Sequence, residues 1–437
     1  MKLSIENVGI LSKIDLEING ITVIAGENDT GKSTISKSLY AMFNGFYKID
    51  EKIENMKIRN LRRDIIEILE REFGVYINTQ YLKKDVLSKI LLKKDFIDKK
   101  DIREIVENTI KNTNLKRKPN SSIDEIAEEL EKRINNIKQT KDINIANEIL
   151  KQNFNKEFSN QINNINTKET SSISLSIKNK MNIRVEVERG HISFIKTGDM
   201  RNIYTRAIYM DNPLILDKIN ERNFMTFNLF LEDNYFHVDN LIYDLQRKVE
   251  ENPIDKIQID KKFNFIFAKI SKEGIGNLTF NMNNLNEILL YESSKNQESL
   301  NIKNVSAGLK SFLIIKTLLE KRILKEKGVL ILDEPEIHLH PEWQVLFAEL
   351  IVLIQKEFNM HILLTTHSPY FLYAIELYSK KYEINGKCKF YFSEKKDEKA
   401  DLIDVTDDIG IVFKSLSTPF FKLEDMEVKM EEENCEK

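Results

Sequence analysis

Gly26-Glu27-Asn28-Asp29-Thr30-Gly31-Lys32-Ser33 follows an apolar segment, Ile21 to Ala25, and precedes a helical segment, Thr34 to Phe43. The octapeptide matches the phosphate-loop pattern G-x-x-x-x-G-K-[ST] at every fixed position. Such a loop directs backbone N–H groups and a helix dipole toward nucleotide phosphates. We predict that the octapeptide and Thr34 bind ATP, that Lys32 bridges the β- and γ-phosphates as a catalytic residue, and that Ser33 ligates Mg²⁺. A glycine-containing turn before an ordinary helix is the alternative.

A second apolar strand, Val329 to Leu332, ends in the acids Asp333 and Glu334. Open α/β sheets place their ligands at the carboxyl ends of the strands, so both acids are expected beside the phosphate loop. Asp333 is predicted to orient Mg²⁺. Glu334 is predicted to be the catalytic residue that accepts a proton from the attacking water or polarises it. A strand that merely ends in an acidic turn is the alternative.

Two further segments carry candidate phosphate contacts. The strand His361 to Thr365 leads to His367, whose imidazole is predicted to reach the γ-phosphate as a third catalytic residue. Ser306 and Gly308 precede an apolar helix, where a hydroxyl and free N–H groups can meet an anion. The alternatives are a hydrogen-bonded structural histidine and an ordinary helix cap.

The order of apolar patterns predicts an α/β fold. The last third of the chain alternates strands with helices, which is typical of a parallel sheet covered by helices. Segments rich in Lys, Glu, Asn and Ile at helical spacing are expected to be insertions. The expected divisions are the first part of the nucleotide-binding head (1–46), a helical insertion (47–168), head strands (169–217), a second helical insertion (218–262), the second part of the head (263–422) and a frayed acidic tail (423–437).

Composition excludes several classes of protein. With 437 residues, 41% hydrophobic and 31% charged, the chain has the composition of a globular protein rather than a disordered one. A net charge of −3 argues against a uniformly basic nucleic-acid coat. The sequence contains no apolar run of membrane-spanning length, and its two cysteines, Cys388 and Cys435, lack metal-ligand spacing. We therefore expect a cytoplasmic protein without a membrane partner.

Four sequence motifs occur in this order along the chain: GENDTGKS, NVSAGLKSF, VLILDEPEIHLHP and LLTTHSPYFL. They resemble the phosphate loop, signature sequence, Asp-Glu strand and switch histidine of the ABC-type ATPases, in particular the SMC-like and OLD-like branch. The resemblance implies a head-to-head homodimer or higher homo-oligomer with ATP and Mg²⁺ at its interface. It also implies that Ser306 and Gly308 contact the γ-phosphate held by Lys32 of the partner subunit, so hydrolysis would need both subunits.

The chain also departs from that family pattern. No Gln follows the strand Ala207 to Met210, and Asn212 is the candidate replacement. OLD-like proteins often carry a Toprim nuclease after the ATPase, but the stretch after His367 is too short for one. The expected effector, a nuclease or toxin, is therefore a separate protein. This arrangement resembles the ATPase subunits of two-gene bacterial anti-phage systems such as Septu or PARIS.

Other functions remain open at this point. One alternative is the nucleotide-binding subunit of a membrane transporter, although SAGLK and the missing Gln are atypical of transporters. Another is an ATP-binding scaffold with little turnover. Nucleic acid is also a candidate partner, because Lys111, Lys116, Arg117 and Lys118 form a short basic segment. Such segments are more often simply solvated.

Overall fold

The computed structural model describes most of the chain. The described residues are 1–74, 87–88, 91, 99–112, 119–164, 169–177, 181–188, 191–197, 203–219, 236–248, 257, 261, 263–265, 267–269, 275–283, 286–293, 299–396 and 399–435. The basic residues Lys116, Arg117 and Lys118 and most of the predicted insertion at 218–262 lie outside these ranges.

Strands and helices alternate along the described chain. The strands are β1 Lys2–Val8, β2 Leu11–Glu17, β3 Ile21–Gly26, β4 Ser171–Ile177, β5 Met181–Glu188, β6 His191–Thr197, β7 Ala207–Met210, β8 Asn277–Asn283, β9 Asn286–Glu292, β10 Leu300–Asn301, β11 Val329–Asp333, β12 His361–Thr366, β13 Cys388–Lys396 and β14 Lys399–Asp404. The helices are α1 Lys32–Phe46, α2 Ile49–Phe73, α3 Lys99–Asn112, α4 Ile123–Gln139, α5 Asp142–Glu157, α6 Ile215–Ile219, α7 His237–Gln246, α8 Ala307–Glu320, α9 Pro341–Phe358, α10 Pro369–Lys381 and α11 Gly410–Cys435.

Eleven of the described strands form one sheet in the order β6-β5-β4-β1-β2-β14-β13-β3-β12-β11-β7. The strands β7, β11, β12, β3 and β13 run parallel to one another. The remaining strands form antiparallel pairs, apart from a short parallel contact between β14 and β2. The parallel strands bring their carboxyl ends to one edge of the sheet, where ligands bind in open α/β sheets. The predicted α/β class is confirmed.

The central strands are apolar because helices cover both faces of the parallel part of the sheet. Every residue of β3 and of β11 is buried, including the last residue of β11, Asp333. Continuous apolar strands of this kind are expected where no face meets water. Helices α8 and α9 contribute Phe312 and Phe347, whose rings meet edge to face with centroids 5.0 Å apart. Both rings belong to the same apolar core as residues of β3 and β11.

The described chain divides into two compact units. One comprises residues 1–47 and 151–437, and the other comprises residues 48–150. The second unit is helical and has its own apolar core, which includes Leu61, Leu69 and Leu130. Its helix α4 begins with the predicted capping box, in which the Ser122 hydroxyl and the Glu125 carboxylate accept backbone N–H bonds reciprocally.

Two features differ from the sequence expectation. Strands β13 and β14 were not predicted, yet β13 pairs with β3 inside the main sheet. The acidic tail expected to be frayed continues helix α11 to Cys435. That helix is anchored at its start, where Val412 is buried and the Phe413 ring meets the Tyr373 ring edge to face. Within the described residues, no helix is both long enough and apolar enough to cross a bilayer.

Candidate nucleotide-binding site

The loop between β3 and α1 has a backbone that requires its glycines. Gly31 adopts a φ of 80°, in the left-handed region that glycine tolerates best. A Cβ at Gly26 would lie only 2.2 Å from the carbonyl oxygen of Ser393, so β13 excludes any side chain there. The Ser393 hydroxyl donates to the carbonyl of Thr30 at 2.8 Å, and the Thr30 hydroxyl donates to the carbonyl of Glu27 at 2.9 Å. Strand β13 therefore helps to shape the loop.

Lys32 is held inside this loop. Its Nζ donates to the carbonyl oxygens of Gly26 at 3.2 Å and Glu27 at 2.6 Å, and it lies 4.0 Å from Oε1 of Glu334. The residue is only 4% exposed. Burial lowers the pKa of the lysine, and the carboxylate of Glu334 is the main influence that opposes this shift. The ammonium is thus positioned by acceptors that an incoming phosphate can replace.

Asp333 ends β11 with both carboxylate oxygens engaged. The Tyr209 hydroxyl donates to Oδ2 at 2.9 Å, and the Thr365 hydroxyl donates to Oδ1. Each oxygen retains a lone pair for a further partner. Ser33 and Asp333 offer a hydroxyl and a carboxylate, the hard oxygen donors that Mg²⁺ prefers. These donors fit the predicted metal.

Glu334 follows in a left-handed backbone conformation, with φ of 49°. Its N–H is bonded to the carbonyl oxygen of Thr365 at 3.2 Å and to the Thr365 hydroxyl at 3.0 Å, which fixes the unusual turn. Its Oε1 meets Nε2 of His367. The hydrogen bond from His367 is the main cause that lowers the pKa of Glu334. The side chain is therefore an ionised carboxylate at neutral pH, as polarising a water molecule requires.

Glu336 is a further acid that the sequence reasoning missed. It is buried, and its Oε1 accepts from the Thr366 hydroxyl at 2.5 Å and from the His367 N–H at 2.9 Å. Burial raises the pKa of this carboxyl. These bonds hold the turn after β12, on which His367 is carried. The signal was present in the sequence, because Glu336 lies two residues after Glu334.

Most of the predicted site residues surround one cleft of about 230 Å³. Its lining comprises Asn28, Asp29, Thr30, Gly31, Lys32, Ser33, Thr34, Glu334 and His367. The strand ends of β3, β11 and β12 bring these residues together from distant parts of the chain. The cleft therefore combines a phosphate-type loop, a fixed cation, an ionised carboxylate and an imidazole.

Ser306 and Gly308 do not belong to this lining. Ser306 is exposed, and its hydroxyl accepts the N–H of Leu309 at 3.4 Å as the cap of helix α8. A Cβ at Gly308 would lie 2.8 Å from the carbonyl oxygen of His338, which explains the glycine by close packing. Asn212, the candidate replacement for the missing Gln, accepts the N–H of Leu214 at 2.9 Å in an exposed turn.

A buried ionic cluster next to the site also escaped sequence reasoning. His237 contacts Glu157 through Nδ1 at 2.8 Å and Asp211 through Nε2 at 3.0 Å. Burial opposes a charge on the imidazole, but hydrogen bonds and attraction from both acids prevail and raise the pKa of His237 to about 9. A histidinium is thus enclosed beside Asp211, which follows β7. No spacing rule connects three residues so far apart in sequence.

Comparison with known proteins places these observations in context. Residues 1–372 match the family model described as AAA ATPase domain. Two curated relatives are "Retron Ec83 probable ATPase" of Escherichia coli, 27% identical over 38% of this chain, and "Retron Vc95 probable ATPase" of Vibrio cholerae serotype O1 biovar El Tor, 28% identical over 18%. The matches span 31% and 17% of the lengths of those relatives.

One solved structure that resembles this chain is an SMC head bound to the C-winged helix domain of ScpA. The alignment covers 94% of this chain and 98% of the SMC head, with 11% identity and a TM-score of 0.44.

Proposed function

Because the chain belongs to the AAA ATPase domain family, we propose that it binds and hydrolyses ATP with Mg²⁺ in the cleft described above. The observation that carries the proposal is the arrangement of Lys32, Glu334 and His367 on three different elements around one cavity. An ordinary turn before a helix is not expected to face a carboxylate and an imidazole from two other elements. Phosphoryl transfer needs such positioned charges more than it needs covalent chemistry.

Each residue then has a distinct role. Lys32 exchanges its bonds to loop carbonyls for the β- and γ-phosphates and offsets their charge. Glu334 accepts a hydrogen bond from the attacking water. This bond increases the electron density on the oxygen of that water. The Nε2 atom of His367, which contacts the Glu334 carboxylate in this structure, would donate instead to the γ-phosphate once ATP is bound. Ser33 and Asp333 would hold Mg²⁺, which would further neutralise phosphate charge when bound.

The proposal includes a head-to-head dimer in which Ser306 and Gly308 complete the site of the partner subunit. Both residues lie outside the cleft of their own subunit, while Ser306 is exposed at the start of a helix. A helix N-terminus is suited to meet a phosphate presented by another molecule. ATP binding would thus join two heads, and hydrolysis would release them.

The dimer cycle would act as a switch for a separate effector, a nuclease or toxin, in bacterial anti-phage defence. This biological role rests on the resemblance of the expected arrangement, an ATPase with its effector on a separate protein, to the ATPase subunits of two-gene systems such as Septu or PARIS. The retron ATPase names of two relatives support an ATPase of a related kind. Fold alone does not specify such a role, since one fold serves many functions.

Phosphate release with Mg-ATP tests the enzymatic proposal, with Glu334→Gln as the decisive variant. We expect turnover to fall about 10²- to 10⁴-fold, because the amide keeps the shape of the side chain but loses its basicity. ATP affinity should stay close to that of the wild type. Glu326→Gln, at an exposed residue before β11, is the matched control and should leave turnover unchanged. Full activity in Glu334→Gln would remove Glu334 from the mechanism.

A further inference from the structure

Tyr209 connects the end of the sheet to the acid predicted to hold Mg²⁺. The residue lies on β7, which pairs in parallel with β11. Its hydroxyl donates to Oδ2 of Asp333 at 2.9 Å, while Thr365 on the other neighbour of β11 donates to Oδ1. The Asp333 carboxylate is thus held by one hydrogen bond on each side. Thr365 also bonds the N–H of Glu334, whereas Tyr209 bonds only Asp333 of these two acids.

The ring of Tyr209 is itself immobilised. The residue is 1% exposed, and its ring centroid lies 5.7 Å from that of Tyr40 on α1 and 4.3 Å from that of His237 at the start of α7. Because the ring is packed in this way, its hydroxyl favours one orientation of the Asp333 carboxylate.

The neighbouring ionic cluster anchors the same strand end. His237 is bonded to Asp211, directly after β7, and to Glu157 at the end of α5. The imidazole is 3% exposed. Because a cation near an aromatic face is attracted to it, this histidine also favours the present position of the Tyr209 ring. The helices α1, α5 and α7 therefore all contribute to the placement of one hydroxyl group.

From this geometry we propose that Tyr209 is a positioning residue, which orients Asp333 and thereby sets the affinity of the nucleotide site for Mg²⁺. The inference rests on the proposed function, because it assumes that Asp333 serves the metal. Residues that bond to metal ligands orient those ligands, and their loss typically lowers metal affinity or activity about 10- to 100-fold. Tyr209 would act on the metal only through the Asp333 carboxylate.

The test is Tyr209→Phe, with magnesium-dependent binding of a fluorescent, non-hydrolysable ATP analogue as the readout. The change removes the donated hydrogen bond and keeps the buried ring. We expect the Mg²⁺ concentration at half-saturation to rise about 10-fold. Nucleotide affinity at saturating Mg²⁺ should return to the wild-type value. A purely structural defect would lower nucleotide affinity at every Mg²⁺ concentration and reduce the melting temperature.

Tyr391→Phe is the matched control. Tyr391 is also buried in the sheet, and its hydroxyl accepts the N–H of Glu17 at 3.1 Å rather than contacting Asp333. This variant should keep the wild-type Mg²⁺ dependence. An unchanged half-saturation in folded Tyr209→Phe would overturn the inference while leaving the ATPase proposal intact. If the wild-type protein itself failed to bind nucleotide, the proposed function would fail instead.

Thr365→Val offers a second measurement on the same carboxylate. The threonine supplies the other hydroxyl bond to Asp333 and also bonds the N–H of Glu334. We expect this variant to impair both the Mg²⁺ dependence and the turnover, whereas Tyr209→Phe at saturating Mg²⁺ should recover turnover. Equal loss of turnover in both variants at saturating Mg²⁺ would contradict a role confined to the metal.

Discussion

The phosphate loop and the signature segment both place small residues and a hydroxyl at the start of a helix, but the two helix starts differ in their surroundings. Gly31 precedes α1 without a side-chain cap, and the loop faces Glu334 and His367 across the cleft. Ser306 caps its own helix α8 and is exposed to solvent. One segment therefore lies in an assembled cleft of its own subunit, and the other lies outside it.

The two helix starts differ in whether their proposed role in hydrolysis requires a second subunit. The bonds around Lys32, Glu334 and His367 all form within one chain, so nucleotide binding should need no partner. Nothing in the cleft lining comes from Ser306 or Gly308. If these two residues contribute to hydrolysis, they do so at the site of another copy. Binding and turnover should thus respond differently to changes in the two segments.

Lys32→Ala should produce the largest loss of ATP binding. The variant alters the phosphate loop, which one chain supplies without a partner. The variant should lose measurable ATP binding, since the cleft lining offers no other lysine or arginine to neutralise phosphate charge. Titration with labelled ATP measures this loss. Lys37→Ala, one turn further along α1, is the control and should bind normally. Affinity close to the wild-type value in Lys32→Ala would refute the phosphate-loop assignment.

Ser306→Arg should have a more selective effect, because it alters the exposed segment. The variant should keep ATP binding as a single subunit but lose nearly all turnover, since the added bulk would block phosphate docking from the partner subunit. In a Glu334→Gln background, ATP-dependent dimers should also disappear in light-scattering measurements.

Ser306→Ala separates this effect from the loss of the helix cap. Removing a cap residue costs about 1 kcal/mol of stability, which a melting curve detects, but it adds no bulk. Turnover in Ser306→Ala should therefore exceed that in Ser306→Arg. Normal turnover and dimerisation in Ser306→Arg would show that this surface is not used.

The phosphate loop and the acids beside it could be predicted from sequence, because each lies in one short contiguous segment. The phosphate loop must be contiguous, Asp333 is the last residue of the apolar strand β11, and Glu334 follows it directly. The confirmed α/β fold then brings the ends of parallel strands to one edge. Of the predicted site residues, Lys32, Glu334 and His367 line the cleft, whereas Asp333, Ser306 and Gly308 are not part of its lining. Their catalytic roles remain predictions.

The parts that escaped prediction depend on contacts between distant segments. Strand β13 supports the phosphate loop through Ser393, but its position beside β3 follows from pairing in the sheet rather than from a motif. Tyr209 and His237 read as ordinary core residues in the sequence. Their partners, Asp333 and Glu157, become neighbours only once α5, α7 and β7 are packed.

A further prediction concerns the pH dependence of the stability of the region beside Asp333. The pKa of His237 rises from 6.5 to about 9 on folding, so its stabilisation is fully present below pH 6.5 and is lost as pH rises through 9. A shift of this size corresponds to a free energy of order 3 kcal/mol.

His237→Gln measures that contribution. Denaturant unfolding of the wild-type protein should give a free energy that decreases between pH 6.5 and pH 9.5, and the variant should lack this component of the decrease. His338→Gln, at an exposed residue, is the control and should retain the wild-type dependence. Identical pH profiles for the wild type and His237→Gln would show that folding does not raise the pKa of the histidine.

In the proposed dimer, one chain supplies the phosphate loop and its partner supplies Ser306 and Gly308. Mixing Lys32→Ala with Ser306→Arg tests it, because a mixed dimer has one site with both defects and one site with neither. Equal mixing should restore about a quarter of the wild-type ATPase activity, since half of the dimers are mixed and half of their sites are intact. Absence of any recovered activity, despite mixed dimers demonstrated by differential tags, would contradict the claim.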